Sequence, residues 1–260
     1  MEGNDSITVL PAGKGEGWGW LLTDRPFETP KERYTPEELS LIEETYGSWE
    51  KAKYQLGFQE EDVEEWKQKR FQILEVGAGF GVSTEELLDW GIDMYALEPS
   101  LRFTDEIDEQ VVRLKAQFAK PKFRNRVSAA KAVDAALAFP GKQFDVAFAI
   151  GPNFQSYSQT DNEILGGISG VIGALSPKDH SYFAFHINYN GTITYGSEET
   201  KFNLEQFLID HKIRYTTRTY LGEFLEETAI RIFRMNDEGQ DAKEILDGAI
   251  KEDISKYTHP

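Results

Sequence analysis

The stretch Ile73-Leu74-Glu75-Val76-Gly77-Ala78-Gly79-Phe80-Gly81 decides the fold. A short apolar strand carries an acid near its end and runs directly into a glycine-rich turn. Residues Val82 to Trp90 have helical patterning. Met94-Tyr95-Ala96-Leu97 then reads as a second strand, ending in Glu98. Strand, turn, helix, strand and terminal acid together form one half of a doubly wound nucleotide-binding sheet. Glycines at 77, 79 and 81 permit positive φ and a close approach of a ligand to the backbone. The helix start after Gly81 offers free N–H donors to an anionic group. Glu98, at a strand's carboxyl end, is placed to accept hydrogen bonds from a ribose diol.

Working outward, strand and helix signals alternate. Residues 103–118 carry an apolar helical stripe, and a short strand is expected near Val127–Ala129, before a helix over Asp134–Phe139. Phe144–Ile150 reads as a strand, 162–175 as a glycine-rich helix, Tyr182–Ile187 as a strand and Asn203–His211 as a helix. Ile213–Leu221 and Thr228–Met235 are close enough to pair antiparallel. The pattern predicts an α/β fold with a doubly wound, mainly parallel seven-stranded sheet and an antiparallel last strand. Upstream, Thr35-Pro36-Glu37-Glu38 is a helix-start signature. The helix after it carries Leu39, Ile42, Tyr46 and Trp49, and an acidic helix follows at Glu60–Arg70. The expected organisation is an N-terminal extension over 1–70, a ligand-binding domain over 71–235 and an acidic tail over 236–260, with a surface helix at Ala242–Ile254. Too short and Gly-rich to bury its own aromatics, the segment 1–60 is expected to close over the strand ends as a lid.

With 45 acidic and 28 basic residues in 260, the net charge is −17. Such a surface opposes binding to nucleic acid or to an anionic membrane. The chain has no cysteine, which excludes disulfides, thiolate catalysis and Cys-ligated metals. Its acidic N-terminus does not read as a signal peptide, and no apolar run reaches the length of a membrane span. A cytoplasmic protein is expected. No metal-ligand spacing stands out. Oligomeric state is not legible.

The pattern Glu75-Val76-Gly77-Ala78-Gly79-Phe80-Gly81, followed by Leu97-Glu98-Pro99-Ser100, resembles the first motif and following acid of class I S-adenosylmethionine (SAM)-dependent methyltransferases. Phe139-Pro140-Gly141-Lys142-Gln143-Phe144-Asp145-Val146 and Leu175-Ser176-Pro177-Lys178 resemble that family's approaches to two later strands. The resemblance implies SAM as cofactor and a methyl acceptor as substrate. It places Gly77, Ala78, Gly79 and Gly81 against the amino-acid part of SAM. Glu75 orients that loop or reaches the ammonium through water. Glu98 holds the ribose, Pro99 flanks the adenine, and Val133 and Asp134 meet the adenine edge. Asp134 reads equally as a helix N-cap. Ile150 and Gly151 line the sulfonium. After that strand the chain has Gly151-Pro152-Asn153-Phe154 where amide and base N-methyltransferases carry Asn/Asp-Pro-Pro-aromatic. The departure favours a small-molecule acceptor. Of four histidines, His186 ends a strand on the ligand side and is the candidate base, beside its simpler reading as a satisfied strand-end histidine; Tyr157 is a further polar candidate.

Two other functions fit parts of the same pattern. An NAD-dependent oxidoreductase uses the same strand–turn–helix–strand–acid unit, although the dinucleotide fingerprint places its third glycine one residue later. A non-catalytic SAM-binding regulator would explain the missing catalytic signature after Ile150.

Overall fold

A computed structural model describes residues 49, 53, 56–102, 109–150, 160–188, 192–195, 200–221, 226–252 and 254–259. The expected helix start at Thr35, the lid residues before Trp49, and the candidates Gly151 and Tyr157 lie outside the described residues.

The main sheet has seven strands. They are β1 (Gln72–Val76), β2 (Asp93–Leu97), β3 (Val127–Ser128), β4 (Val146–Phe148), β5 (Tyr182–Asn188), β8 (Tyr215–Leu221) and β9 (Glu226–Phe233). Their spatial order is β3-β2-β1-β4-β5-β9-β8. The first five run parallel. Only β9 runs against the rest, between β5 and β8. The expected doubly wound, mainly parallel sheet with its antiparallel end is present. Strand order reverses between β1 and β4, which opens a crevice at the carboxyl ends there.

Helices cover both faces. On one face lie α1 (Glu60–Lys69) and α2 (Val82–Asp89), whose Val63, Trp66 and Leu87 pack with Ile73, Met94, Val146 and Phe148. Trp49 is buried there, against Phe58, Trp66 and Phe148. Beyond α2, α3 spans Glu109–Phe118. The other face carries α4 (Ala135–Ala138), α5 (Asp161–Ala174), α6 (Leu204–Asp210) and α7 (Ala242–Ala249), packed on Leu74, Val76, Ala147, Phe183 and Phe185. Alternation along β5 sends Phe183, Phe185 and Ile187 to this second face and Tyr182 and Ala184 to the first.

Local chemistry sets the boundaries. Helix α1 starts at a capping box, where the Gln59 N–H donates to Asp62 Oδ2 at 2.7 Å. It stops at Lys69, one residue early, because Arg70 turns left-handed at φ 54°. Strand β4 is shorter than its apolar run. Phe144 forms only a single bridge to Leu175, and the ladder to β1 begins at Val146.

A second, three-stranded sheet is absent from the sequence reading. It consists of β6 (Thr192–Tyr195), β7 (Thr200–Asn203) and β10 (Thr258–His259). The tail therefore returns to the fold. Leu246, Ile254 and Tyr257 join the larger core cluster, and the Tyr257 hydroxyl donates to Asp210 at 2.9 Å. Helix α7 is shorter than expected and buries Ala242, Leu246 and Ala249. Among the described residues, no helix is long and apolar enough to cross a membrane.

Candidate functional site

The glycine turn sits at the carboxyl end of β1, beside the crevice. Gly77, Gly79 and Gly81 all have positive φ, at 70°, 53° and 68°. The Gly77 and Ala78 N–H groups donate to the Leu97 carbonyl at 2.8 and 3.0 Å. The turn is thereby tied to the end of β2. Gly81 is the N-cap of α2. A Cβ there would stand 2.6 Å from the Phe118 ring of α3, so a larger residue would also have to displace that ring.

Glu75 is buried, and both of its oxygens are engaged. Ser83 Oγ donates to Oε1 at 2.7 Å, and Thr84 Oγ1 donates to Oε2. Burial pushes the Glu75 carboxyl up to about 7, against the two hydroxyl bonds, and the nearby Glu98 charge adds to the rise. Glu75 thus fastens the first turn of α2 to β1 from beneath the loop. Ser83 and Thr84 are site residues that the sequence reading passes over. Their signal is two small hydroxyl residues in the first helical turn after a Gly-rich loop that an acid precedes.

Glu98 lies one strand across, at the end of β2, and is only 6% exposed. Its Oε2 accepts the Gly79 N–H at 2.7 Å and its Oε1 accepts the Ser100 N–H at 2.9 Å. Burial raises its carboxyl above the usual range, while the bonds to Ser100 and Gly79 oppose the rise. The Ser100 side chain bonds it as well, and the carboxylate keeps acceptor capacity for an incoming hydroxyl. Pro99 opens a short 3-10 turn after it.

Val133 and Asp134 belong to a 3-10 turn, Ala132–Asp134, leading into α4. Val133 is 53% exposed. Asp134 stands at the N-cap position, but its side chain caps no helix N–H. Helix α5 fixes this turn from below. A Cβ on Gly170 would fall 2.5 Å from the Val133 carbonyl oxygen.

Ile150 is buried just past β4. His186 is half-buried near the end of β5, opposite Ala229 of β9. The ladder between β4 and β5 ends at Phe148↔Ala184, and Ile150 and His186 each follow that pair by two residues. Both belong to the face covered by α1 and α2. The described residues contain no group of three or more His, Cys, Asp or Glu placed to hold a metal ion.

No protein-family model and no curated protein matches the sequence. Solved structures resemble it at the level of the chain trace. PH0226 protein from Pyrococcus horikoshii OT3 is 14% identical, with a TM-score of 0.45, over 76% of this chain and 92% of that one. A Burkholderia thailandensis 1,6-didemethyltoxoflavin-N1-methyltransferase, solved with its substrate and S-adenosylhomocysteine, is 14% identical at a TM-score of 0.40, over 81% and 92%. Streptomyces venezuelae DesVI is 11% identical at a TM-score of 0.41, over 84% and 91%. With every TM-score below 0.5, these likenesses decide nothing about this chain.

Proposed function

We propose that this protein is a SAM-dependent methyltransferase acting on a small-molecule acceptor. The observation that carries the reading is Glu98: a buried carboxylate at the carboxyl end of β2, held by the Gly79 and Ser100 N–H groups and the Ser100 side chain, with acceptor capacity remaining. It lies beside the reversal in strand order, where doubly wound sheets bind adenosine ligands.

The residues present fit that cofactor. When bound, SAM supplies an electrophilic methyl group on a sulfonium. Glu98 takes the ribose diol. The loop Gly77–Gly81 presents backbone to the amino-acid part, and Glu75 holds the helix start behind it. Asp134, whose carboxylate caps no helix N–H, is available to an exocyclic amine, with Val133 beside it. Ile150 and Gly151 wall the reacting end. Methyl transfer needs chiefly an acceptor held in line, so proximity and orientation supply most of the rate. His186, on the same face as Ile150, takes a proton where the acceptor's nucleophile carries one; Tyr157 is the second candidate. The segment 1–60 is proposed to exclude water from this crevice.

The oxidoreductase alternative needs a second parallel dinucleotide half. After β5 the sheet instead continues as the antiparallel β9–β8 pair, which counts against it.

Calorimetry with SAM and with its demethylated product tests the proposal. Both should bind the wild-type chain. Glu98→Ala should weaken them by about 1.5–3 kcal/mol, roughly tenfold to a hundredfold, as loss of a charged acceptor does. Absence of binding by either at millimolar concentration would end the methyltransferase reading. Labelled SAM incubated with small-molecule pools separates an active enzyme from a SAM-binding regulator.

A further inference from the structure

We propose that a cationic cleft on the β8–β9 edge binds the carboxylate or phosphate of an anionic ligand, and that this ligand is the methyl acceptor. The second clause rests on the methyltransferase reading; the first does not. The cleft is a cavity of about 220 Å³ whose lining includes Gly57, Thr216, Arg218, Ala229 and Arg231. Two guanidinium groups thus face one small cavity in a chain of net charge −17.

Both arginines are positioned by Gly57. Arg231 Nη2 donates to the Gly57 carbonyl at 3.1 Å. Its guanidinium also lies 5.2 Å from the Phe58 ring and 5.1 Å from the Tyr182 ring. Arg218 lies across the other side of Gly57. A Cβ on that glycine, whose φ is +67°, would stand 2.5 Å from Arg218 Nη1 and 2.7 Å from Cδ. Among the described residues, Arg231 pairs with one carboxylate, Asp62, at a loose 3.9 Å. Among the described residues, no carboxylate pairs with Arg218. Two like charges sharing a cavity repel, and an anion between them removes that cost. The planar guanidinium matches carboxylate and phosphate geometry, and its cost of ordering is already met at Arg231. Thr216 stands opposite Arg231 on the same face and adds a hydroxyl donor.

The cleft points toward the candidate site. His186, Ala229 and Arg218 form one row across β5, β9 and β8. At the usual strand spacing, Arg218 is about 10 Å from His186 across the sheet. Ala229, buried and with only a methyl side chain, lies between them and lines the cleft. An acceptor anchored by its anionic end at Arg218 and Arg231 would present its other end at Ile150 and His186.

The test is calorimetric titration of the full chain with inorganic phosphate and, separately, with succinate, at fixed ionic strength. At least one should bind saturably, and the stronger binder identifies a phosphate or a carboxylate as the anionic group. Arg218→Ala should weaken that binding about tenfold, the loss of one or two charge-assisted hydrogen bonds, and Arg218→Lys should recover part of it. SAM affinity of both variants should match the wild type. Arg218 is exposed, so neither substitution threatens folding. Lack of saturable binding by both anions, or equal binding by Arg218→Ala, would show that Arg218 only guards a sheet edge against pairing. That result overturns the inference and leaves SAM binding intact. Anion binding without SAM binding overturns the methyltransferase reading, and with it the acceptor assignment.

Discussion

Glu75→Gln should stabilise the ligand-free protein by roughly 3 kcal/mol at about pH 8 and by almost nothing below about pH 4.5. Glu75 is fully buried at the end of β1, and burial lifts its carboxyl from the ordinary 4.5 to about 7. A carboxyl raised in the folded state favours folding while it stays protonated in both states. That contribution is complete below about 4.5, where the unfolded chain is also protonated. It is lost as pH rises through about 7, where the folded chain must carry a buried charge. Glutamine keeps the shape and cannot ionise. Its amide can still bond with Ser83 and Thr84, whose hydroxyls both donate and accept. Glu98, also buried and also raised, changes the wild-type stability in the same direction. Chemical denaturation of both proteins across this pH range measures the difference. A constant gap at every pH would mean that Glu75 does not titrate between the two states.

Gly170→Val should cost about 3 kcal/mol or more of stability. Helix α5 crosses the turn Ala132–Asp134 at this glycine. A Cβ would fall 2.5 Å from the Val133 carbonyl oxygen and 2.6 Å from its Cα, and the Ala132 carbonyl is closer still. All three are backbone atoms, so no rotamer relieves the overlap. Either α5 lifts off the sheet or the turn moves, and a moved turn carries Val133 and Asp134 with it. SAM affinity should therefore fall together with stability. Gly166→Ala is the control. Its Cβ would meet only a Val133 methyl at 3.8 Å, and the lower chain entropy should stabilise by up to about 1 kcal/mol. Thermal and denaturant unfolding of the two variants tests the contrast. Wild-type stability in Gly170→Val would contradict the close crossing.

The sequence by itself determined the parallel core and the half-site within it. Period-two and apolar runs depend on burial of single strands, and Gly77, Gly79, Gly81 and Glu98 depend on local turn geometry; both signals are contiguous in the chain. For the same reason α1, α5 and α6 were legible to within a residue or two from their local patterning, and the structure adds the side chains of Asp62, Thr160 and Asn203 at their starts. Features that needed the folded chain involve partners far apart in sequence. The return of the tail as β10 depends on Thr258 meeting Phe202. Gly170 looks like any helix glycine until the Val133 backbone is placed against it. The half-buried Asp134 could be read as a cap until its carboxylate was seen to cap nothing. Arg218 and Arg231 sit on separate strands, with no motif linking them. Gly57, distant from both in the chain, brings them to one cavity, because antiparallel register and a glycine's missing side chain act only once the strands have met.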